Sequence, residues 1–351
     1  MRALVKSGIG AGNLALREVE NPSCQASEVK IKVSYASICS SDIMYWLSEN
    51  EMANNRLKIP VILGHEGSGI VVETGQEVRH IKVGDRVVAE TTQEVCNECN
   101  ACLKTEYNNC KDRRGLGSSS DGFFSEYVNV AERSVHKIPD SMSFAEAALL
   151  EPLTCVVHAL MDDTTINPLE KVFVSGPGPI GLFSAQIANV CGATVYLSGT
   201  SHSLPRLLIA KDQLNIRNII NSSTEDVIAR IMEETNGEGV DCAIECSGNK
   251  HSISNCLNVL SPRGRYIGLG AIHDRDDNLT IQYNNLFITR ELRISGYRST
   301  TPQSWGKTLR LARQEKIQFK PLITHKLPLE KWEEGFNLVK SKEGIKVLLL
   351  P

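Results

Sequence analysis

Four cysteines stand close together in the sequence, at a spacing that suits metal binding. Cys96, Cys99, Cys102 and Cys110 form the pattern C-x2-C-x2-C-x7-C. Four thiolates this close can hold a tetrahedral zinc ion that is shut off from solvent and has a structural role. An iron–sulfur cluster is the alternative, but the ferredoxin pattern continues C-x3-C-P, whereas the fourth cysteine here comes after seven residues and is followed by Lys111. The spacing therefore predicts a structural zinc site.

A second group of possible metal ligands is spread over three separate segments of the chain. These residues are Cys39, His65, Glu66 and Glu151. One sulfur, one nitrogen and a carboxylate oxygen can supply a zinc site that leaves a position open for a substrate. Taken singly, each has a plainer interpretation: Cys39 as a small buried side chain, His65 as a core histidine, Glu66 as a surface charge. Only their combination, in this order along the chain, makes a metal site with an open position worth considering.

A glycine-rich segment, Ser175–Gly181, contains the pattern G-x-G-x-x-G. It follows an apolar run at 171–175 and opens a segment in which apolar residues recur at helical spacing, the context in which this pattern indicates a dinucleotide-binding loop. Small residues let the backbone approach a pyrophosphate, which then lies at the positive end of the helix. A tight turn without a ligand is the alternative. The residues predicted to contact the dinucleotide here are Gly176, Gly178, Pro179, Ile180 and Gly181.

The next strand-like run, Ala193–Leu197, bears on which dinucleotide is used. An acidic residue that binds the adenosine ribose of NAD is expected about 20 residues after the glycines, but the sequence contains no Asp or Glu from 171 to 211. Without a carboxylate nothing repels a 2′-phosphate, and Arg206 or His202 could pair with one, so the sequence favours NADP over NAD. If Arg206 only stacks on the adenine or faces solvent, NAD stays usable. The other residues expected to contact the cofactor here are Gly199, Thr200 and Ser201.

Two kinds of secondary structure must position these residues. Up to about residue 140 the sequence is rich in strand-like patterns, with apolar/polar alternation at 29–35 and shorter runs at 69–72, 85–89 and 126–130. From about residue 170 short apolar strands alternate with helix-like runs, which indicates right-handed βαβ crossovers and a mostly parallel sheet. The later strands are predicted at 171–175, 193–197, 240–245 and 265–269, and after residue 290 a mixed pattern ends in an apolar run at 346–350. The sequence therefore predicts an α/β protein with a β-rich domain and a parallel-sheet domain.

Length, composition and charge limit the remaining possibilities. The chain has 351 residues, 41% of them hydrophobic and 23% charged, and a formal net charge of −3. These values fit two hydrophobic cores and give no electrostatic reason to expect a nucleic-acid or membrane partner. No apolar run has the length of a signal peptide or a membrane span, so we expect a cytoplasmic protein. In that reducing compartment the 11 cysteines are expected to be free thiols or metal ligands rather than disulfides.

Taken in order along the chain, these motifs resemble the medium-chain zinc-dependent dehydrogenases, and most closely their polyol (sorbitol/L-iditol) branch. The resemblance covers the whole chain and rests on the glycine-framed His65-Glu66 pair, the four-cysteine segment, the glycine-rich loop, the turn at 151–153 and the Val-Gly-Asp-Arg-Val segment at 83–87. It implies a GroES-like catalytic domain formed by residues 1–152 and 291–351, and a Rossmann domain at 153–290. It also implies a homodimer or homotetramer paired through the edge strands of the nucleotide-binding sheets.

The resemblance implies roles for single residues at the metal. Cys39, His65 and Glu66 would be the ligands of the catalytic zinc. Glu151 would bind the ion directly or through zinc-bound water, and which glutamate binds at a given moment stays open. Ser41 matches the hydroxyl that begins the proton relay of the family.

Contacts with substrate and nicotinamide are implied as well. Tyr45 with Trp46 matches the Tyr-Trp pair that lines polyol sites, and Arg298 matches an arginine that faces both substrate and nicotinamide. Met44 departs from the pattern, because relatives often carry there a histidine that passes the proton to solvent. Methionine cannot carry a proton, so the relay must leave through Ser41, Tyr45, the cofactor ribose or water. Further cofactor contacts are implied at Leu269, Gly270, Gly296 and Arg298.

The expected function is therefore a zinc-dependent, NAD(P)-linked oxidation of a secondary hydroxyl group of a polyol, sugar or cyclitol. Each chain would carry one catalytic and one structural zinc ion. Two alternatives stay open: a threonine-type amino-alcohol or simple alcohol dehydrogenase, and a protein that keeps the dinucleotide-binding scaffold without catalysis. The intact set of Cys39, His65 and Glu66 argues against the second alternative.

Overall fold

The structure, a computed structural model, describes residues 1–48, 51–272 and 277–351. Its backbone divides into two compact units. The first unit comprises Met1–Pro152, Ser299–Gln314 and Leu322–Pro351. The second unit comprises Leu153–Arg298 and Glu315–Pro321. The second unit is thus inserted into the sequence of the first.

Strands supply most of the regular structure in the first part of the chain. Over the described residues the strands are β1 (Arg2–Lys6), β2 (Leu14–Glu18), β3 (Glu28–Ser37), β4 (Val61–Ile62), β5 (Glu66–Thr74), β6 (Arg86–Ala89), β7 (Thr92–Glu94), β8 (Arg114–Gly115), β9 (Tyr127–Ala131), β10 (Val135–Lys137), β11 (Lys171–Ser175), β12 (Thr194–Gly199), β13 (Asn218–Asn221), β14 (Val240–Glu245), β15 (Leu260–Gly268), β16 (Arg293–Gly296), β17 (Ile323–Pro328) and β18 (Lys346–Leu350).

Helices are concentrated between and after the strands of the second unit. The α-helices are α1 (Ser40–Leu47), α2 (Glu51–Arg56), α3 (Asn100–Leu103), α4 (Phe144–Ala147), α5 (Leu150–Val157), α6 (Pro179–Val190), α7 (Leu204–Gln213), α8 (Val227–Glu234), α9 (Lys250–Asn258), α10 (Pro302–Arg313) and α11 (Trp332–Lys340). Short turns of 3-10 or π-helix occupy Ala11–Asn13, Tyr107–Asn109, Glu132–Ser134, His158–Asp162, Ser201–Ser203, Asn284–Thr289, Lys320–Leu322 and Leu329–Lys331. Within the described ranges no helix combines the length and the apolar character needed to cross a membrane.

A seven-stranded sheet forms the body of the first unit. Its main path has the order β10-β6-β5-β3-β18-β17, and β9 pairs with β3 beside this path. The alternation seen in the sequence is present in β3, where Val29, Ile31 and Val33 are buried. Because successive strand residues point to opposite faces, these three side chains enter the core of the unit while the residues between them do not.

A six-stranded parallel sheet forms the body of the second unit. Its order is β13-β12-β11-β14-β15-β16, and Val172, Phe173 and Val174 of β11 are completely buried, as expected of a strand covered on both faces. The order of the strands reverses between β11 and β14. In open sheets of this kind ligands bind beyond the carboxyl ends of the strands at such a point. The predicted parallel α/β arrangement is therefore confirmed.

The domain boundary predicted after residue 290 is wrong. Residues 291–298 include β16, which pairs with β15 as the sixth strand of the parallel sheet, and they belong to the second unit. The sequence Arg-Ile-Ser-Gly of this short strand contains a single large apolar residue. An edge strand has a neighbouring strand on one side only and is more exposed to solvent. Its sequence therefore lacks the apolar run by which the inner strands are recognised.

Candidate active site

Three of the predicted metal ligands lie close together in the first unit, where one strand ends beside the start of the strand that pairs with it. Cys39 follows β3 as the N-cap residue of α1, and His65 directly precedes Glu66, the first residue of β5. β3 and β5 are antiparallel with Ser37 opposite Glu66, so the end of one strand lies beside the start of the other. One donor atom from each of Cys39, His65 and Glu66 lies within 4.8 Å of the other two. One ion can therefore reach all three.

A buried carboxylate orients two of these ligands. Asp42 is completely buried, its Oδ2 accepts a hydrogen bond from the backbone N–H of Cys39 (2.8 Å), and its Oδ1 lies 3.4 Å from Nδ1 of His65. Burial lowers the pKa of His65, but the charge of Asp42 and hydrogen bonds with Asp42 and Cys39 outweigh it and raise that pKa well above its ordinary value. A carboxylate on one ring nitrogen leaves the other nitrogen for a metal. Sequence reasoning missed Asp42, although an acidic residue three positions after a helix N-cap is a readable signal.

Glu66 is paired with a buried lysine 280 residues further along the chain. Nζ of Lys346 lies 2.7 and 2.5 Å from the two carboxylate oxygens of Glu66. The lysine and glutamate side chains are 3% and 1% exposed. Burial lowers the pKa of Lys346, but the charges of Glu66, Cys39 and Glu151 and a hydrogen bond to Glu66 together outweigh burial and raise that pKa. Sequence reasoning missed Lys346, since the pairing of β18 with β3 that brings it there is not a local property of the sequence.

Glu151 lies in the same unit, at the start of α5, and is 7% exposed. Its Oε1 accepts a hydrogen bond from the hydroxyl of Thr91 (2.8 Å). Burial raises the pKa of Glu151, while the charge of His65 lowers it and that of Glu66 raises it further. Its carboxyl thus lies within electrostatic range of two of the ligands, but among the described residues the cluster of mutually close donor atoms contains Glu66 and not Glu151.

The four cysteines between β7 and β8 form a second cluster. The Sγ–Sγ distances are 3.8 Å for Cys96 and Cys102, 3.5 Å for Cys99 and Cys102, and 3.7 Å for Cys96 and Cys110. In a tetrahedron of Zn–S bonds of about 2.3 Å the sulfur atoms are about 3.8 Å apart, so the geometry fits zinc. Hydrogen bonds from the backbone N–H groups of Glu98 and Cys99 lower the pKa of Cys96 to about 7, which favours the thiolate form that binds metal.

The predicted cofactor residues of the second unit collect at the carboxyl ends of its parallel strands. Gly181 must be glycine, because a Cβ there would lie 1.9 Å from the carbonyl oxygen of Gly176, itself at a φ of 97°. This close packing brings the N-terminus of α6 against the end of β11, where a pyrophosphate can accept hydrogen bonds from the N–H groups of the helix. The residues at these ends are Gly176, Gly178, Pro179, Ile180 and Gly181 after β11, Gly199, Thr200 and Ser201 at β12, Leu269 and Gly270 after β15, and Gly296 at the end of β16.

Hydroxyl and amide side chains stand at the ends of β12 and β13, where the sequence predicts the adenosine end of the cofactor. Oγ of Ser201 lies 3.3 Å from Oδ1 and 3.1 Å from Nδ2 of Asn221, and its N–H donates to Oγ of Ser223 (3.0 Å). Glu225 accepts a hydrogen bond from the backbone N–H of Asn221 (2.9 Å), so one carboxylate does approach this region from beyond β13. Arg206 in α7 is half-buried, and burial lowers its pKa.

The remaining predicted residues lie in α1 and after β16. Ser41 stands in the first turn of α1, two residues after Cys39, and is partly exposed. Tyr45 and Trp46 are each 8% exposed and belong to the hydrophobic core of the first unit. Trp46 packs edge-on against two other aromatic rings at centroid distances of 5.9 and 5.7 Å; in the first unit it is therefore a core residue. Arg298 follows β16 in the second unit.

Comparisons with known proteins agree with this geometry. Residues 25–140 match the family model of the alcohol dehydrogenase GroES-like domain, and residues 179–314 match that of the zinc-binding dehydrogenase. The chain is 38% identical to the sorbitol dehydrogenase of Halalkalibacterium halodurans, over 100% of this chain and 99% of the relative. The chain belongs to the medium-chain zinc-dependent dehydrogenases. The chain is also 36% identical to the D-arabitol-phosphate dehydrogenase of Enterococcus avium, over 99% of this chain and 97% of the relative. It is 34% identical to the L-threonine 3-dehydrogenase of Bacillus subtilis, over 100% of this chain and 99% of the relative.

A solved structure extends the agreement to the fold. A zinc-binding dehydrogenase from Sinorhizobium meliloti 1021, bound to NADP, has a TM-score of 0.91 and 27% sequence identity, and the match covers 100% of this chain and 99% of that one. The predicted combination of a GroES-like domain and a Rossmann domain is therefore confirmed, and with it an oxidoreductase function. The sulfur, imidazole and carboxylate donors of the zinc-dependent dehydrogenase are those that zinc takes in enzymes, so the residues present fit the metal that the family name implies.

Proposed function

We propose that this zinc-dependent dehydrogenase oxidises a secondary hydroxyl group of a polyol, a sugar or a cyclitol. The observation that carries the proposal is the cluster of Cys39, His65 and Glu66. Their donor atoms lie within 4.8 Å of one another and can hold a metal ion to which a substrate hydroxyl can bind. The names of two relatives, a sorbitol dehydrogenase and a D-arabitol-phosphate dehydrogenase, support a polyol or its phosphate as the substrate class. In this proposal the first unit holds metal and substrate, and the second holds the dinucleotide.

Residues of the first unit hold the metal ion and remove the proton of the substrate hydroxyl. When bound, zinc supplies Lewis acidity that lowers the pKa of a substrate hydroxyl towards neutrality. Cys39, His65 and Glu66 hold the ion, and Asp42 keeps the imidazole in the orientation that binds it. Ser41 accepts the hydroxyl proton while it gives up its own.

Other residues orient the substrate and carry the proton away. Met44 cannot carry a proton, so the route from Ser41 leads to Tyr45, the cofactor ribose or water. Glu151 accepts a hydrogen bond from the substrate or a bound water, and Arg298, in the second unit, faces the nicotinamide. The hydride passes to the nicotinamide ring, whose chemistry belongs to the cofactor while the protein supplies the geometry.

A panel of substrates tests this proposal. The zinc-loaded protein is assayed with linear polyols, polyol phosphates, cyclitols, L-threonine and short aliphatic secondary alcohols, and kcat/KM is compared. We expect the highest value for a polyol or a polyol phosphate. Activity confined to L-threonine would favour the second candidate, which the L-threonine 3-dehydrogenase relative supports, and activity confined to short aliphatic alcohols would exclude both.

We also propose two zinc ions in each chain, one per cluster. The content of purified protein should be two zinc ions per chain, falling to one in Cys39→Ala with loss of activity. Cys110→Ala is the matched variant: it removes a ligand of the other cluster and should lower zinc content while sparing the catalytic ion. A content of one zinc that Cys39→Ala leaves unchanged would mean that the catalytic cluster is empty and would favour a scaffold without catalysis.

We propose NADP as the dinucleotide, because hydroxyl side chains rather than a carboxylate stand at the end of β12 and because Arg206 follows in α7. kcat/KM should be higher with NADP than with NAD. Arg206→Ala should lower the NADP value about tenfold or more and leave the NAD value nearly unchanged, because only NADP carries the 2′-phosphate. Arg217→Ala, an exposed arginine of the same unit, is the control and should affect neither. Equal losses with both cofactors in Arg206→Ala would refute the role of the phosphate.

We further propose a homo-oligomer formed through β16, in the cytoplasm. β16 is an edge strand of the parallel sheet, and Ile294 in it and Ile288 just before it are 42% and 64% exposed; such an edge can pair with another copy. Ile294→Lys should lower the mass measured by light scattering to that of a monomer, while Leu169→Lys, at an apolar residue exposed elsewhere, should not. None of the eleven cysteines, all of which lie in the described residues, forms a disulfide, which supports a reducing compartment. Cell fractionation tests this location.

A further inference from the structure

A completely buried carboxylate stands at the carboxyl end of β14, next to the point where the strand order reverses. Glu245 is the last residue of β14 and has no exposed surface. Its Oε1 accepts hydrogen bonds from the backbone N–H (2.8 Å) and the hydroxyl (2.5 Å) of Ser247, and its Oε2 accepts one from the N–H of Gly248 (3.0 Å). The side chain is therefore held as an acceptor in one position by the loop that follows it.

Glu245 and the loop that follows it pack against the other loops of the dinucleotide site. A Cβ on Gly270, which follows β15, would lie 2.4 Å from Oε2 of Glu245, and a Cβ on Gly176 of the glycine-rich loop would lie 3.0 Å from Cβ of Ser247. The backbone N–H of Leu269 and that of Gly270 both donate to the carbonyl oxygen of Glu245. Glu245 thus contacts the loop after β15, and Ser247, which holds its carboxylate, contacts the glycine-rich loop.

The surroundings of the Glu245 carboxylate differ in charge from those of Glu66. Over the residues that the structure describes, no lysine, arginine or histidine forms an ion pair with it, in contrast to Glu66 with its lysine. Its field reaches its neighbours: burial first, and the Glu245 charge next, raise the pKa values of Cys246, Cys256 and Tyr266. A nearby charge of opposite sign would therefore be attracted strongly, since the low-dielectric interior screens it little.

The half of the sheet that contains Glu245 is the nicotinamide half. In doubly wound sheets the dinucleotide lies across the switch point, with its adenosine at the end of the second strand of the first half. That strand is β12 here, so the nicotinamide nucleotide takes the side of β14, β15 and β16. The oxidised nicotinamide ring carries a positive charge and the reduced ring carries none.

We propose that the buried negative charge of Glu245 makes this protein discriminate between the two redox forms of its dinucleotide, binding the oxidised form more tightly relative to the reduced form. Attraction to the carboxylate stabilises the cationic ring only. The bound cofactor pair is thereby shifted towards the form that accepts a hydride, which favours oxidation of the alcohol. This inference rests on the proposed binding of a dinucleotide at this sheet.

Dissociation constants measure the effect directly. The zinc-loaded protein is titrated with NADP⁺ and with NADPH, by calorimetry at one ionic strength, for the wild type, Glu245→Gln and Glu245→Asp. In Glu245→Gln we expect the Kd of NADP⁺ to rise about tenfold more than the Kd of NADPH, an effect of about 1.4 kcal/mol on the ratio. In Glu245→Asp the charge is kept, so the ratio of the two constants should stay close to that of the wild type even if both constants rise.

Variants of Ser247 separate charge from loop geometry. Ser247 is exposed, so its replacement tests the loop even if Glu245→Gln does not fold. Ser247→Ala removes a hydrogen bond from Glu245 without changing its charge and should raise both constants by the same factor. Ser247→Lys adds a positive charge beside the carboxylate and should weaken NADP⁺ relative to NADPH when compared with Ser247→Ala.

Each outcome has one meaning. An unchanged ratio in Glu245→Gln, or in Ser247→Lys relative to Ser247→Ala if Glu245→Gln does not fold, would show that Glu245 is only a structural clamp and would overturn the inference. If the wild type binds neither NADP nor NAD in either form, the proposed function itself fails, and that result is distinct from an unchanged ratio.

Discussion

The buried pair of Lys346 and Glu66 offers a sharp test of how the candidate metal site is held together. In Lys346→Met the side chain keeps nearly its length and apolar stem but loses its charge. The Glu66 carboxylate, 1% exposed and with both oxygens within 2.7 Å of the ammonium in the wild type, is then left buried without a counter-charge. The substitution therefore acts on one interaction at the heart of the site.

The expected loss follows from the burial of both groups. Removing one partner of a buried ion pair costs about 3–5 kcal/mol, because the other charge stays desolvated. In a domain of 150–250 residues each kcal/mol lowers Tm by about 2–4 °C, so metal-free Lys346→Met should melt at least about 6 °C below the metal-free wild type. With zinc bound the difference should be smaller, because the ion gives Glu66 another positive partner.

Thermal unfolding of metal-free and zinc-loaded protein measures these differences. Lys30→Met is the matched control: Lys30 of β3 pairs with Glu73, which lies on the same strand, β5, as Glu66 and whose side chain is half exposed. Surface pairs contribute only about 0–1 kcal/mol. The double variant Glu66→Gln, Lys346→Met should recover much of the loss, since it removes both charges. If the double variant melts no higher than Lys346→Met alone, an unpaired buried charge is not the cause and the reasoning is refuted.

Three further predictions concern catalysis, the glycine-rich loop and pH. Ser41→Ala should lower kcat about 100-fold with KM and zinc content little changed; a kcat within twofold of the wild type would remove Ser41 from the proton route. Gly181→Ala should lower Tm and abolish dinucleotide binding, because its Cβ would lie 1.9 Å from a carbonyl oxygen. Gly178→Ala, with no atom within 4 Å of the added Cβ, should keep Tm and weaken only the binding. Equal melting temperatures for the two variants would contradict this. Burial raises the pKa of Glu170, but hydrogen bonds, first of all from Arg265, outweigh it and lower that pKa. Glu170→Gln should therefore destabilise the protein, in urea unfolding, above the ordinary glutamate pKa near 4.3 and progressively less as pH falls below it; a difference that does not change with pH would contradict the role of the charge.

The parts of the site that sequence reasoning found are those encoded by local spacing. The cysteine pattern predicts its own cluster because 15 residues of loop can bring the four thiols together, and the glycine pattern is recognised by the strand before it and the helix after it. The strands predicted at 171–175 and 240–245 have these bounds in the structure. Each is a short apolar run between turn residues, which is the clearest signal that a buried strand gives.

The parts that were missed depend on pairing between distant segments or on an exposed position. Lys346 reaches Glu66 only because β18 pairs with β3, and no pattern within β18 shows that its first residue is a buried charge. β16 escaped because an edge strand carries too few apolar residues. The packing of Trp46 into the core beside α11 likewise depends on a distant segment, and the residues around it in the sequence do not reveal it.

The position of β18 in the large sheet also sets an order of events during synthesis. β18 lies between β3 and β17 in the first unit, but it is made after every strand of the second unit. On the ribosome, where domains fold as units from the N-terminus, the parallel sheet of the second unit can close while the large sheet still lacks an inner strand. Until residue 346 emerges, Glu66 lacks the counter-charge of Lys346 and Cys39 follows a sheet that is still incomplete. The cluster of Cys39, His65 and Glu66 therefore reaches its final surroundings only when β18 is in place.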